Sequence, residues 1–366
     1  MTIIDSVEPV SGSRRHGGFH ALRVTDVERL CADAVAVTFA VPDEVAERYA
    51  FRPGQFLTLR RVVDGREERR SYSICAPAGA ALRIGVREVP GGLLSSWLVH
   101  QIRPGDVVEA LPPSGSFTPD LRQAAHHVLI AAGSGITPVL SIAASVLVDP
   151  LSRVSILYGN RRSSTVMFAD ELADLKDAHA SRLELVHVLS REPRDAELFT
   201  GRLDAAKLRT LLSALLPVDD VDHWWLCGPF GMVTDAQTVL AELDVPRERI
   251  HRELFYVEDA PPPPQRHEEQ VPSGPGSEVT IVLDGRSTTT TQPRDATILE
   301  AAQQVRPDLP FACKGGVCGT CRARLVDGQV DMRRNFALDP REVDSGFILT
   351  CQSIPVSDEV KVDFDS

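Results

Sequence analysis

Nine residues, "CKGGVCGTC", place Cys313, Cys318 and Cys321 at the spacing C-x4-C-x2-C, and Cys351 stands alone far downstream. Thiolates held this closely suit a disulfide, a zinc ion or an iron–sulfur cluster, and each choice demands something different of the rest of the chain. The chain has seven cysteines, an odd number. Its first residues carry Asp5 and Glu8 and no apolar signal segment, so a disulfide framework is disfavoured. Structural zinc pairs its ligands as two short knuckles, whereas here three ligands share one loop. The spacing is that of the plant-type [2Fe–2S] pattern. Two ferric ions, two sulfides and four thiolates leave a buried dianion that needs many donors, and Gly315, Gly316 and Gly319 let a tight loop aim backbone N–H groups at sulfur.

A one-electron cluster needs a source of electrons, and four further stretches offer chemistry for one. "RRSYSIC" supplies Arg70, Tyr72 and Ser73: a cation for phosphate, a ring for stacking and a hydroxyl donor. "GGLLSSWL" follows with Gly92, Leu94 and Ser95 at the start of a helix, where loop amides meet anions. "AAGSGITP" sets Gly133 and Gly135 between a strand and a helix, as a dinucleotide turn does, although the third glycine of the usual fingerprint is absent. "YGNRRSSTVMF" ends the next strand, where a ribose 2′-phosphate would be read, with Arg161, Arg162 and Ser164 as its donors.

These motifs resemble those of the ferredoxin–NADP reductase superfamily. The resemblance implies that Tyr72 stacks on the isoalloxazine of FAD, that Ser73 donates near flavin N5 and that Arg70, with the loop of Gly92, Leu94 and Ser95, meets the pyrophosphate. It also implies that Thr137 and Pro138 lie beside the nicotinamide. By the same likeness "CGPFGM" puts Cys227 and Gly228 near that ring, and "HRELFY" returns Glu253 and Phe255 to the flavin edge. Ser73, Cys227 and Glu253 are thus the candidates at the reacting atoms. Cys31 and Cys75 read as core packing.

The elements that must hold these groups follow from composition and periodicity. The chain has 366 residues, 43% of them hydrophobic and 25% charged, more than one core accommodates. A formal charge of −12 disfavours nucleic acid and anionic membranes as partners. Residues 1–19 read as a disordered tail. Residues 20–120 carry short alternating runs such as "AVAVTFAV" and "ALRIGVREV", the pattern of a small antiparallel barrel. Residues 121–257 alternate strands with helices, which implies βαβ units and a parallel sheet. The run "EDAPPPPQRHEEQVPSGPGS", residues 258–277, is too polar and Pro-rich to bury a core and reads as a linker to residues 278–366. Residues 128–148 are uncharged and long enough to span a bilayer, but Gly133, Gly135 and Pro138 divide them into strand, turn and helix.

The tail, from "ATILEAAQQV" through "DLPFACKGGVCGTC" to "GFILTCQSIPVSD", resembles plant-type ferredoxins throughout. That likeness implies Cys313, Cys318, Cys321 and Cys351 as cluster ligands. The expected architecture is multidomain: an antiparallel β-barrel flavin domain, an α/β parallel-sheet nucleotide domain and an α+β β-grasp [2Fe–2S] ferredoxin domain. In that order the three resemble the reductase components of bacterial multicomponent oxygenases. Within that family the branch serving phenylacetyl-CoA epoxidase shares "FRPGQ", "YGNR" and "LTCQ", while ketosteroid hydroxylase reductases have the same architecture. The resemblance implies a cytoplasmic NAD(P)H oxidoreductase with FAD, a [2Fe–2S] cluster and NADPH, NADH remaining open, and an oxygenase as electron acceptor. Lys314, Arg322, Arg324, Arg333 and Arg334 form a locally basic stretch suited to docking an acidic patch on that oxygenase.

Overall fold

The computed structural model describes residues 18–63, 66–255 and 276–366. The expected tail and linker therefore lie outside the described residues, except for 18–19 and 276–277. The described chain divides into two compact units.

The first unit opens with β1 (His20–Cys31), β2 (Ala34–Ala40), β3 (Phe56–Val63), β4 (Arg66–Ser73), β5 (Arg83–Arg87), helix α1 (Leu93–His100) and β6 (Val107–Ala110). These strands form an antiparallel sheet in the order β4-β3-β6-β1-β2-β5. It closes on itself through a bridge between Ile74, just past β4, and Ile84 of β5, which is the expected barrel. The alternation of "AVAVTFA" has a specific cause, because β2 is buried on both faces. Val35, Val37 and Phe39 fill the barrel, while Ala34 and Ala36 turn outward into the core of the neighbouring α/β layer.

That layer comprises β7 (His126–Ala132), α2 (Ile136–Val146), β8 (Arg153–Asn160), α3 (Ala169–Ala178), β9 (Leu183–Leu189), α4 (Ala205–Leu215), β10 (His223–Cys227), α5 (Phe230–Glu242) and β11 (Ile250–Glu253). The strands are parallel in the order β11-β10-β7-β8-β9. The uncharged stretch 128–148 is thus most of β7, a turn and α2, and no described helix is long and apolar enough to cross a membrane. Helix α2 is buried nearly all round because its second face meets the barrel. Ser141 donates to the Ala76 carbonyl at 2.6 Å, and Ser145 accepts from the Ala78 amide at 2.9 Å. These bonds explain the two serines in an otherwise apolar helix, since buried polar groups need partners.

At the amino ends of β7, β10 and β11 the sheet packs three histidines around a tryptophan. Trp225 stacks on His251 at 4.1 Å between ring centroids and donates Nε1–H to His127 Nδ1 at 3.1 Å, and His223 lies against both His127 and His251. Burial, reinforced by the neighbouring His223, pushes His127 and His251 down to about 4, and His223 is lowered by burial despite Asp222. Above pH 6.5 the rings are neutral both folded and unfolded. As pH falls from 6.5 toward 4 the unfolded chain takes up protons that the folded one refuses, and stability is lost at up to about 1.4 kcal/mol per pH unit for the fully buried His127. The thermal midpoint should therefore drop over this window, and His127→Gln should flatten the drop. Parallel curves for the two proteins would show that the cluster carries no such linkage.

The second unit contains β12 (Ser277–Leu283), β13 (Arg286–Gln292), α6 (Ile298–Val305), β14 (Arg322–Asp327), β15 (Val330–Met332), the short helix α7 (Pro340–Asp344), β16 (Phe347–Leu349), β17 (Ser353–Pro355) and β18 (Glu359–Asp363). A five-stranded mixed sheet runs β13-β12-β18-β14-β16, with β12 and β18 parallel at its centre, and β15 pairs with β17. Helix α6 begins at a capping box of Thr297 and Glu300 and buries Ile298, Leu299 and Ala302 in the unit's core. A hairpin, a helix and a parallel pair of first and last strands make the expected β-grasp.

Candidate redox and coenzyme sites

Strand order reverses between β7 and β10, and open α/β sheets bind ligands at the carboxyl ends of strands at such a point. Here the turn after β7 carries Gly133, at φ +57°, and Gly135. A Cβ on Gly135 would lie 2.0 Å from the Cys227 carbonyl oxygen and 3.0 Å from the Gly228 amide, so only glycine lets this turn close on the end of β10. A Cβ on Gly228 would meet Met232 Cε at 2.7 Å and the Ala132 amide at 3.2 Å. The result is a cradle of bare backbone, which suits the close approach of a dinucleotide.

Register brings the reacting-atom candidates together at this edge. Cys227 at the end of β10 stands opposite Glu253 at the end of β11, and Ser73 at the end of β4 donates its hydroxyl to Glu253 Oε2 at 3.3 Å. Desolvation raises Glu253 to about 8, only partly offset by the Ser73 bond, so its carboxyl is protonated at neutral pH. Burial and the nearby Glu253 push the Cys227 thiol well up. A neutral, fully buried thiol is a small packing group and not a nucleophile. Phe255 is exposed.

The remaining flavin candidates divide by what they offer. Arg70 projects an exposed guanidinium paired with Glu68 at 3.1 Å, and Tyr72 packs its ring partly against the barrel core while burial raises its hydroxyl. Gly92 precedes α1, Leu94 is buried in the barrel, and Ser95 Oγ accepts from the Val89 amide at 3.1 Å and donates to the Gly92 carbonyl. The side chains of Leu94 and Ser95 therefore shape the turn, leaving the helix start as the feature that faces a phosphate. A cation, a ring, a helix start and a part-buried Ser–Glu pair fit FAD.

Thr137 and Pro138 are both buried. The Thr137 hydroxyl donates to the Ser134 carbonyl at 2.9 Å, and its methyl lies where a side chain on Gly85 of the barrel would stand. Arg161, Arg162 and Ser164 are exposed beyond the end of β8. Two residues at the cradle escaped the sequence reading. Tyr158 of β8 donates its hydroxyl to the Gly133 carbonyl at 2.9 Å, and Arg87 of the barrel comes within 3.3 Å of the Cβ position of Gly133. Both act across long sequence separations, which no local pattern in the sequence announces.

Two of the cysteines, Cys313 and Cys318, are hydrogen-bonded to each other, and the other two, Cys321 and Cys351, share one buried core. Cys318 donates to Cys313, and the amides of Gly315, Val317 and Cys318 add further donors, so the Cys313 thiol is lowered against the effect of burial. The Gly315 amide lies 3.3 Å from Cys313 Sγ. Gly316 and Gly319 take φ of +75° and +69°, and Lys314 is also left-handed at +52°, a conformation that costs a non-glycine residue energy. Cys321 and Cys351 are buried where β14 meets β16, with Thr350 donating both its amide and its hydroxyl to the Cys321 carbonyl. Among the described residues no three His, Cys, Asp or Glu side chains converge as a mononuclear metal site needs. Pairs fit a two-iron cluster, in which each iron takes two thiolates. The basic stretch is less free than its composition implies, because Arg322 pairs with Glu342 at 3.1 Å and stacks on Phe347 at 3.6 Å.

Family models match along the chain in the same order as the sheets: an oxidoreductase FAD-binding domain over residues 21–118, an oxidoreductase NAD-binding domain over 129–238 and a 2Fe-2S iron-sulfur cluster binding domain over 281–356. The chain is 41% identical to one of the subunits of the 1,2-phenylacetyl-CoA epoxidase of Escherichia coli, over 95% of this chain and 98% of that protein. It is 33% identical to the ferredoxin reductase component of 3-ketosteroid-9-alpha-monooxygenase from Rhodococcus rhodochrous, over 94% and 96%. Among solved structures, phthalate dioxygenase reductase superposes with a TM-score of 0.58 at 24% identity, covering 95% of this chain and 98% of that one.

Proposed function

We propose, from the premise that this chain belongs to the reductase components of multicomponent oxygenases, that its acceptor is an oxygenase of the phenylacetyl-CoA epoxidase kind and its preferred donor NADPH. The observation that carries the choice of acceptor is the higher identity, at full length, to the epoxidase protein than to the ketosteroid reductase. Arg161 and Arg162, exposed at the carboxyl end of β8, support NADPH by offering charge to a 2′-phosphate. A cytoplasmic setting suits a protein whose proposed ligands are reduced thiolates.

FAD, when bound, would supply the exchange between the coenzyme's two-electron hydride chemistry and one-electron transfer. The chain's own work is positioning. Gly133, Gly135 and Gly228 form the backbone cradle for the dinucleotide, and the neutral Cys227 keeps the space beside it small and dry. Tyr72 would stack on the flavin ring, and Arg70 and the start of α1 would hold its pyrophosphate, with Phe255 close to the flavin edge. Glu253 holds a carboxyl proton at the end of β11, with the Ser73 hydroxyl donating to its other oxygen. Cys313, Cys318, Cys321 and Cys351 would ligate the cluster, with the loop amides tuning it. Residues 20–120, 121–257 and 278–366 would be the three working domains, with 258–277 as their linker.

The test is reconstitution. With NADPH and a purified phenylacetyl-CoA epoxidase oxygenase, the protein should support substrate-dependent NADPH consumption, and with a 3-ketosteroid 9α-oxygenase it should support little. The reverse pattern would transfer the assignment to the steroid branch.

A further inference from the structure

The segment after β9 runs beside the loop after β8. The Ser190 amide donates to the Asn160 carbonyl at 2.9 Å and the Arg191 amide to the Arg161 carbonyl at 2.8 Å, so the two loops leave the carboxyl edge of the sheet together. Glu192 comes next and turns back onto the first loop. Its Oε2 accepts from the Ser163 amide at 2.9 Å and from Ser163 Oγ at 3.0 Å. Arg161, Arg162, Arg191 and Arg194 are all exposed on these loops, as are Asp195 and Glu197, and among these carboxylates Glu192 takes two of the rim's neutral donors.

This is the edge at which dinucleotide folds read the ribose. An acidic residue accepts from a free 2′-hydroxyl, whereas a 2′-phosphate needs cations and uncommitted donors. The rim holds both kinds of reader. A phosphate brought to Ser163 would have to displace the carboxylate and then remain close to it, anion against anion. A 2′-hydroxyl meets no such opposition, since it can donate to the carboxylate.

We propose that Glu192 is the residue that sets the balance between the two nicotinamide coenzymes, opposing the 2′-phosphate at Ser163 and accepting the 2′-hydroxyl of its unphosphorylated counterpart. The assignment rests on the reading that the coenzyme's adenosine end lies at the carboxyl edge of β8, and it alters that reading in one respect. Ser163 is the serine whose donors matter, Ser164 is not, and the arginines alone do not fix the preference. Discrimination is a difference of two affinities, so removing one opposing charge shifts the ratio without building any new contact.

Adenosine 2′,5′-bisphosphate and adenosine 5′-monophosphate serve as probes, titrated calorimetrically into the FAD-loaded full chain. Glu192→Ala should raise the affinity ratio of the first over the second about tenfold, and Glu192→Gln, which keeps an acceptor but no charge, should achieve part of that rise. FAD content and the thermal midpoint should not change, because Glu192 touches neither the barrel nor the core. The NADPH to NADH ratio of kcat/KM should follow the probes. A ratio that moves less than twofold, or two probes that shift together, would overturn the role of Glu192 while leaving the location of the site intact. Probes that bind neither the wild type nor the variants would remove the location itself, and the proposal with it.

Discussion

Cys318→Ser is expected to cut reduction of one-electron protein acceptors about a hundredfold or more, while oxidation of NADPH by ferricyanide stays within about twofold of wild type. Cys318 and Cys313 form a hydrogen-bonded thiol pair, and replacing one member by a harder oxygen ligand would take away one of the two thiolates that the pair would offer an iron. The flavin and coenzyme candidates lie on the barrel and the parallel sheet and include neither cysteine, so a small dye drawing on the flavin keeps its supply. A plant-type cluster sits near about −400 mV, and about 59 mV is a tenfold change in a one-electron equilibrium, so even a variant that retained iron would lose flux. Iron, acid-labile sulfide and FAD content measured beside both activities make the result readable. If both activities vanish while FAD is retained, electrons do not pass in the order coenzyme, flavin, cluster.

The sequence reveals most where a cofactor dictates spacing along the chain. The C-x4-C-x2-C loop was readable because a cluster leaves little freedom in where its ligands fall. The Gly-rich turn after β7 was readable because close backbone approach excludes side chains. The order of barrel, parallel sheet and β-grasp followed from alternation with period two giving way to strands separated by helices.

What stayed hidden depends on contacts across the fold. Arg87 reaches Gly133 from a different sheet, and Tyr158 bonds the same turn from the neighbouring strand. Glu192 meets Ser163 only because β8 and β9 are parallel and leave the sheet side by side. Thr137 and Pro138 matched a family motif, yet the Thr137 hydroxyl is spent on its own turn and both residues are buried in packing. A motif records that a residue type suits a position, and the structure decides whether its side chain or its backbone does the work.

Gly135→Ala should be the most damaging single-methyl change at the coenzyme edge. Its backbone is ordinary right-handed helix, so conformational freedom is not the issue, and the constraint is space. The added carbon would lie 2.0 Å from the Cys227 carbonyl oxygen, a backbone atom that cannot swing aside as a side chain does. Relief requires the start of α2 to move away from the end of β10 by more than about 1 Å, and displacement on that scale costs reacting groups about a hundredfold in rate. Overpacking of this kind also destabilises by about 1–3 kcal/mol. FAD content should survive, because its proposed ligands lie on the barrel, while kcat/KM for NADPH should fall about a hundredfold. Gly231→Ala is the matched control. It is the second residue of α5, with no atom outside its own helix backbone within 4 Å of the new carbon, and alanine is a better helix former than glycine, so this variant should bind coenzyme normally and melt no lower than wild type. A Gly135→Ala protein with kcat/KM within threefold of wild type would mean that the turn after β7 is not where the coenzyme lies against the sheet.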